Sequence, residues 1–502
     1  MTTAESTLIQ PADADLPTGI RVASLRAVAL RLALVGLFTA ILALRRPEAW
    51  WQACVVLAVI SIVPAWRKVV MGIAALGVIY YFTPVFRIGT QYADYHYTES
   101  TLLFLWERVH GRDGNRWLTY WPWVVALVFA MFAAFAWFVR RFPKSFPARR
   151  PVLLMVLALI ALLLAARLPL NGAEAMLVVA AALILGKYIW FFAYAIVDVK
   201  LRPTVPLARQ LGYLRPFWGF SNVPLGKGAN YLERVEAKDD KQFLAAQISG
   251  IKLLIWGVAL AFFTDWINAL LYTPHESMFA PYLSWLPPEG LPTSLIAMGR
   301  HIERRSFPLH LCWIALWAEF FFTVLYMAIW GHIVIAICRM AGFNAAPNTD
   351  RPLLATSIAD FYNRIYYYFK ELLATFFFYP AYLRYFKTRP KLRLFTATLL
   401  AAGFGNFLFH FLRDDVVILE KGMWRAMLDY HVYAVYCLIL GSAIALSQMR
   451  LMAKETREPT GWRRPSAIAG VWIFYAFMNQ LMPNSGHNIL QHGSYLLSLF
   501  GL

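Results

Sequence analysis

The chain has 502 residues, of which 60% are hydrophobic and only 15% are charged. A soluble protein of this size carries about a quarter charged residues, so the composition excludes an ordinary soluble globular fold. The net charge of +19 accompanies long apolar runs, and basic residues beside such runs indicate cytoplasmic membrane faces and not a nucleic-acid site.

Eleven apolar segments predict transmembrane helices, because the hydrocarbon core of a bilayer leaves backbone polar groups no partners outside the chain. The segments lie near 27–44, 50–66, 69–86, 118–139, 152–166, 174–198, 244–271, 309–341, 393–412, 428–449 and 466–482. The sequence therefore predicts an all-α polytopic membrane protein with about 11 transmembrane helices and further membrane-embedded or re-entrant helices.

Four parts are expected along the chain. Residues 1–26 form a polar N-terminus without the basic start of a signal peptide, so the first span is predicted to be a retained insertion signal. Transmembrane helices occupy 27–198, and a core with irregular polar stretches occupies 199–449. Residues 450–502 contain a basic loop and the last transmembrane segment.

The loops predict an orientation. Lys and Arg are abundant in 140–150, 199–243 and 450–464, which places these loops in the cytoplasm by the positive-inside rule, together with the N-terminus. The mixed-charge loops 87–117 and 272–308 are then predicted to lie outside.

The cysteines point to packing. Cys54, Cys312, Cys338 and Cys437 lie in apolar runs and form no CxxC motif, so neither a disulfide framework nor a metal site is expected.

The segment 342–392 does not read as a simple span. It is apolar and aromatic, yet it carries five side chains that lipid would not accept: Asp360, Asn363, Arg364, Lys370 and Glu371. Irregular or polar backbone at membrane depth is tolerated only against protein or a wet cavity. Residues 353–379 are therefore predicted to be helices packed into the protein, in the wall of a cytoplasm-facing funnel.

The order of residues in this region resembles a known family. Its elements are Gly342-Phe343, Asn348, Arg351-Pro352, the stretch SIADFYNR at 357–364, and Phe409-His410-Phe411 near the end of the next span. This order is similar to the membrane-bound O-acyltransferase (MBOAT) superfamily. The closest branch is the bacterial one that acylates cell-surface polysaccharides, as in alginate O-acetylation and teichoic-acid D-alanylation.

The resemblance implies an MBOAT-like fold with a funnel on each membrane face, in a bacterial inner membrane. It implies transfer of an acyl group, most simply acetyl, from acetyl- or acyl-coenzyme A to a hydroxyl of a cell-surface glycan or lipid. No tightly bound cofactor is expected. Membrane lipids and accessory export or acyl-carrier proteins are the implied partners.

The sequence departs from the family pattern at two places. The polysaccharide branch has a histidine shortly after the arginine of the upstream helix, where Tyr366 stands here. The family's tryptophan and glycine beside the invariant histidine are replaced by Phe409 and Phe411. These departures predict a divergent subfamily with an unusual acceptor.

His410 is the predicted general base, since imidazole titrates near neutral pH and can accept the proton of an attacking hydroxyl. Asn363, Tyr366 or Tyr367 would then supply a donor to the developing oxyanion. Asn406 lies four residues before His410 and is the preferred residue to orient its imidazole. Asp414, four residues after, is expected to end the helix. The position of His410 late in an outward-running span favours an acceptor from outside.

Alternative interpretations accompany each site. His410 could instead be a structural histidine that bonds a neighbouring helix. His431 and His332 are weaker candidates for the same cavity. Arg215, Lys227 and Arg364 are candidate binders of the donor's phosphates, although lipid headgroups would explain basic residues equally well.

Two other functional classes remain open from the sequence. A transporter or flippase of a lipid-linked or acidic solute would predict inverted repeats, which the sequence does not display. A catalytically inactive MBOAT-like scaffold is the other alternative, because Tyr366 replaces the family's polar partner.

Overall fold

The computed structural model describes residues 25–45, 51–82, 117–169, 172–202, 206–218, 223–285, 290–305, 307–413, 415–452, 459–481 and 487–502. These residues form helices and no strands, apart from an isolated bridge between Glu236 and Phe343. The fold is therefore all-α, as predicted. Most of the predicted outer loop 87–117 and the whole of 1–24 lie outside the described residues.

The helices of the N-terminal part are α1 (Leu25–Ala43), α2 (Trp51–Ile62), α3 (Arg67–Phe82), α4 (Trp117–Arg141), α5 (Pro151–Ala165) and α6 (Gly172–Leu201). The helices that follow are α7 (Leu211–Leu214), α8 (Ala229–Val235), α9 (Asp240–Leu271), α10 (Ala280–Leu283), α11 (Ser294–Ile302) and α12 (Leu309–Met340).

The region with the sequence motifs contains α13 (Ile358–Ile365), α14 (Tyr367–Leu373), a π-helical turn (Ala374–Phe378), α15 (Tyr379–Arg384), α16 (Pro390–Thr398), a second π-helical turn (Leu399–Gly405) and α17 (Asn406–Arg413). The described helices after this region are α18 (Asp415–Lys421), α19 (Met423–Asp429), α20 (His431–Met452), α21 (Arg463–Asn479) and α22 (Ile489–Ser498).

Six described helices are long and apolar enough to cross a membrane: Leu25–Ala43, Leu177–Leu201, Asp240–Leu271, Leu309–Met340, Pro390–Arg413 and His431–Met452. The protein is therefore an integral membrane protein with several spans. The segments predicted at 50–66 and 69–86 form a pair bent by 116°, which makes a seventh span if the pair crosses together. The α5 helix has 15 residues, fewer than the ~20 that a bilayer core requires, so the total of about 11 stays a prediction.

The centre of the fold is α6, most of which is buried inside the protein. Its side chains Tyr188, Trp190 and Phe192 are almost fully buried. Phe192 packs against Phe132 of α4, while Trp190 packs against Phe409 of α17. The predicted span at 174–198 is thus an internal helix that joins the N-terminal helices to the motif region.

Two glycines let α9 and α12 approach closely. A Cβ on Gly250 would lie 3.0 Å from the carbonyl oxygen of Ala336, and a Cβ on Gly257 would lie 3.2 Å from Ile333. Small residues at such contacts let membrane helices pack by van der Waals attraction, since lipid provides no hydrophobic drive between them.

The chain folds back along α12 after that helix ends. Gly342 adopts a positive φ of 87°, which a residue with a side chain rarely adopts, and this conformation reverses the chain. Asn348 then lies against Gly331, nine residues before the end of α12 at Met340, which is about 14 Å back along the helix at 1.5 Å per residue. We call residues 342–356 the returning segment.

Candidate active site

The helix α13 begins at a residue of the predicted motif. Ser357 is its N-cap, and the Ser357 hydroxyl accepts a hydrogen bond from the backbone N–H of Asp360 at 3.1 Å. Asp360 in turn accepts from Nε of Arg364 at 2.8 Å, one turn later on the same face. Three residues of the motif therefore stabilise a short helix at membrane depth.

The returning segment satisfies the backbone at the break between α13 and α14. The carbonyl oxygen of Asn348 accepts from the N–H of Tyr367 at 2.8 Å, and its side-chain oxygen accepts from the N–H of Tyr368 at 3.3 Å. On the other side of the break, Thr349 Oγ1 donates to the carbonyl oxygen of Ile365. The N–H of Asp350 donates to the carbonyl oxygen of Arg364. Because buried backbone groups require partners, these bonds determine where α14 starts.

A cluster of aromatic rings joins α14 to His410. The ring of Phe369 lies 4.8 Å from Phe409 and 5.9 Å from the imidazole of His410. Tyr366 packs on the other side of Phe369, with ring centroids 5.6 Å apart. The structure therefore places Tyr366, at the break between α13 and α14, one ring away from His410.

Residues of α20 close the opposite side of the imidazole. The Tyr433 ring lies 4.9 Å from the His410 ring, nearly perpendicular to it. The Tyr433 hydroxyl donates to the side-chain oxygen of Asn406 at 3.2 Å, and Asn406 is buried. Tyr430 donates to the main-chain oxygen of His410 at 3.5 Å. The amide predicted to orient His410 is thus bonded to a ring that packs on it.

The imidazole lies level with the middle of α6. Phe409 stacks on Trp190 with centroids 5.5 Å apart, and Lys187 donates to the main-chain oxygen of Arg413. Both α6 residues are more than ten residues from either end of that helix. The candidate span Pro390–Arg413 ends three residues after His410, which agrees with the predicted position late in a span, and the packing against α6 leaves His410 half-buried.

A second polar cluster lies where the glycine-containing loop 225–229 meets α14. Lys227 has a positive φ of 53°, and its Nζ donates to Glu371 and, at 3.0 Å, to the hydroxyl of Tyr367. Burial acts to lower the pKa of Lys227, but the bonds to Glu371 and Tyr367 raise it above the ordinary lysine value. Burial acts to raise the pKa of Glu371, yet Lys227 and Lys370 hold it below the ordinary value.

The structure separates the remaining predicted site residues. Asn363 is exposed, and Arg364 is bonded to Asp360 within its own helix. Arg215 is buried beside Phe191 of α6, with its guanidinium carbon 4.5 Å from the ring centroid. The three predicted phosphate binders, Arg215, Lys227 and Arg364, thus occupy different environments, and Lys227 is already paired with a carboxylate.

The other histidines have contacts away from His410. His431 Nε2 accepts from the N–H of Ile489, and its Nδ1 lies 2.6 Å from the carbonyl of Leu428, so the imidazole bridges α19 to the start of α22. His332 lies where α12 packs on Gly257 of α9. Asp414 lies outside the described residues.

Sequence reasoning missed Phe369 and Tyr433, which pack on His410, and Glu371 as the partner of Lys227. The stretch YYYFKE at 366–371 gave a signal, because its aromatic and charged side chains are spaced to face two sides of one helix. No signal for Tyr433 was present within its own span.

Comparison with known proteins adds no family assignment. The chain matches no protein-family model. A search of curated proteins found no significant match. The resemblance to the O-acyltransferases therefore rests on the motif residues alone.

Proposed function

We propose that this protein is a membrane-bound O-acyltransferase with His410 as its general base. It moves an acyl group, most simply acetyl, from a thioester such as acetyl- or acyl-coenzyme A to a hydroxyl of a cell-surface glycan or lipid. The observation that carries the proposal is a series of contacts that links the first motif, through α14, to His410 of the second motif some forty residues later. The returning segment positions α14, and Phe369 of α14 packs on the imidazole.

The environment of His410 suits a base. The imidazole is half-buried among the rings of Phe369, Phe409 and Tyr433. A neutral imidazole has one nitrogen lone pair with which to accept the proton of an alcohol.

The proposed step balances as a single acyl transfer. The hydroxyl oxygen of the acceptor attacks the thioester carbonyl while His410 takes the hydroxyl proton. The carbon–sulfur bond then breaks, and the imidazolium returns the proton to the sulfur of the leaving thiol. Among the predicted donors, we propose Tyr366, one ring away from His410, for the oxyanion of the intermediate.

The proposed topology has the thioester enter from the cytoplasm and the acceptor from the opposite face or the bilayer. The basic loops at 140–150 and 450–464 support this orientation by the positive-inside rule. We further propose that the protein lies in a bacterial inner membrane and acts with export or acyl-carrier proteins. These two points rest on the motif resemblance.

The test is an acyl-transfer assay with the purified full chain, radiolabelled acetyl-coenzyme A and a panel of glycan and lipid acceptors. His410→Asn should lower the transfer rate by about 100-fold or more, the range for loss of a general base. Donor affinity should change little, because the imidazole acts on the acceptor's proton. His332→Asn serves as the matched control, since it makes the same change in another membrane helix.

Two results would overturn the proposal. One is near-normal transfer by a folded His410→Asn variant. The other is a lack of transfer from every thioester by the wild-type chain, together with vesicle uptake or lipid translocation by the reconstituted protein.

A further inference from the structure

Arg215 is a buried cation at the end of the short helix α7. Its side chain is 3% exposed. The guanidinium carbon lies 4.5 Å from the ring centroid of Phe191 and 5.5 Å from that of Tyr188, both on α6. The basic group is thus inserted against the aromatic middle of the most buried helix of the protein.

Two of its hydrogen-bond donor atoms are buried and unpaired in the described part of the chain. Nε and Nη1 of Arg215 are buried, and neither has a partner among the described residues. Burial lowers the pKa of Arg215, yet arginine keeps its proton in proteins.

The two other buried arginines of the described chain differ in one respect. Arg31 pairs with Asp240 at 2.5 Å, and Arg67 pairs with Glu236 at 3.1 Å. The protein therefore supplies a carboxylate to each of those buried guanidinium groups and supplies none to Arg215. Arg31 and Arg67 thus belong to internal ion pairs, whereas no carboxylate among the described residues pairs with Arg215.

Contact with two rings does not offset the burial of an uncompensated charge. Cation–π attraction is a modest term, whereas removal of an unpaired ion from water costs several times more unless a counter-ion and hydrogen bonds replace the lost solvation. An anion that accepts hydrogen bonds from the guanidinium N–H groups would supply both the opposite charge and the hydrogen bonds. Guanidinium binds phosphate and carboxylate groups best, because its planar donors match their oxygens.

We infer that Arg215 binds an oxyanion, a phosphate or carboxylate group, in a site beside Tyr188 and Phe191 of α6. The group belongs either to a soluble ligand or to the head of a membrane lipid. The inference does not rest on the proposed acyl transfer, because it concerns binding alone and His410 takes no part in it.

The experiment measures thermal unfolding of the detergent-purified full chain in sodium phosphate, sodium acetate or sodium chloride at equal ionic strength. A ligand that binds only the folded state raises the midpoint, so saturating phosphate or acetate should raise it by about 2 °C or more above chloride. Arg215→Met should abolish that rise. Lys144→Met, which removes one exposed positive charge, should retain it.

A second arm distinguishes the two sources of the anion. The wild-type chain and Arg215→Met are compared in nanodiscs of phosphatidylcholine with and without phosphatidylglycerol. A rise with phosphatidylglycerol that depends on Arg215, without a response to soluble phosphate or acetate, assigns the site to a lipid headgroup. A response to the soluble anions assigns it to a soluble ligand.

The variant itself adds an independent readout. Since removal of an unpaired buried charge relieves its burial penalty, Arg215→Met without added anion should unfold at the same or a higher temperature than the wild type. If Arg215→Met does not fold, Arg215→Lys replaces it and should weaken the response, because the ammonium group lacks the planar donors. A wild-type chain that responds to neither soluble oxyanion nor anionic lipid, or a response that survives in Arg215→Met, would overturn the inference.

Discussion

The phenol ring of Tyr433 stands edge-on to the imidazole of His410, with ring centroids 4.9 Å apart, and its hydroxyl donates to the buried oxygen of Asn406. Asn406 and His410 lie on the same helix, so Tyr433 contacts two functional candidates from α20. On the proposed mechanism, Tyr433 would position the imidazole together with Asn406, the residue that the sequence indicated for this role.

Tyr433→Phe tests that role. The change keeps the ring but removes the hydroxyl, so the buried oxygen of Asn406 loses its donor. The free energy of unfolding should fall by about 1–3 kcal/mol, the penalty for an unsatisfied buried group. Acyl transfer should fall less than in His410→Asn. Tyr436→Phe is the control, because Tyr436 stacks on Tyr433 and is not the donor to Asn406. Equal effects of the two variants would contradict the role of the hydroxyl.

Gly331→Ala tests the contact that holds the returning segment. A Cβ at this position would lie 2.8 Å from Nδ2 of Asn348 and 2.9 Å from its Cβ, so Asn348 must move. Overpacking of this kind should lower stability by about 1–3 kcal/mol. It should also reduce acyl transfer, since Asn348 holds the start of α14. Gly36→Ala is matched, because nothing lies within 4 Å of its Cβ, and should be neutral or slightly stabilising. Equal melting temperatures for the two variants would exclude the predicted clash.

The pair of Lys227 and Glu371 should contribute stability in a defined pH window. The folded-state pKa of Glu371 is lowered, so its contribution is present above the unfolded value of about 4.3 and disappears as the pH falls through the folded value. The folded-state pKa of Lys227 is raised, so its contribution is present below about 10.4 and disappears as the pH rises through the folded value.

Lys227→Met should therefore destabilise the protein by about 1–3 kcal/mol at pH 7, the range for a hydrogen bond to a charged group. The difference from wild type should shrink in strong acid and above pH ~10.5. Denaturant unfolding at several pH values measures it. Lys227→Met combined with Glu371→Leu should be less damaging than Lys227→Met alone, because Lys227→Met leaves the half-buried Glu371 carboxylate with Lys370 as its remaining cationic partner. A difference that is constant with pH would rule out the ion pair as its origin.

The orientation of the chain can be tested with single cysteines. Cys54, Cys312, Cys338 and Cys437 are buried, which permits a low labelling background, and they can be replaced by alanine. In intact cells an impermeant thiol reagent should label Met278→Cys and spare Lys144→Cys, because 144 lies in a basic loop predicted to be cytoplasmic. Permeabilised cells should label both. Labelling of the 144 position alone in intact cells would reverse the orientation and the proposed side of the donor.

The class of fold followed from composition alone, because apolar runs of bilayer length permit helices and exclude most alternatives. The location of the breaks did not follow so directly. Trp51–Ile62 and Pro64–Ile79 are adjacent apolar helices whose 116° bend is a matter of tertiary packing. Local hydropathy also failed to indicate that α6 is an internal helix, since an apolar sequence suits lipid and protein interior equally well.

The sequence predicted the contacts within one helix of the candidate site, but it did not predict the contacts between distant segments. Ser357, Asp360 and Arg364 each lie about one helical turn from the next, so their spacing in the sequence already indicates the contacts. Asn348 bonds residues 19 and 20 positions later, and Tyr433 reaches Asn406 from another helix, 27 positions away. Such contacts depend on how the chain returns through the fold, which periodicity does not encode.

The depth of His410 sets a requirement on any substrate that approaches from the Leu201 end of α6. Trp190, which stacks on Phe409 beside His410, lies eleven residues before the exposed Leu201, or about 16 Å along the helix axis. Under the proposed acyl transfer, a thioester that approaches from this side would need an arm of about that length between its carrier and its acyl group. A compact activated acid would be too short to react while its carrier stays at the surface. The fold would then select donors by the reach of their linker as well as by the group they deliver.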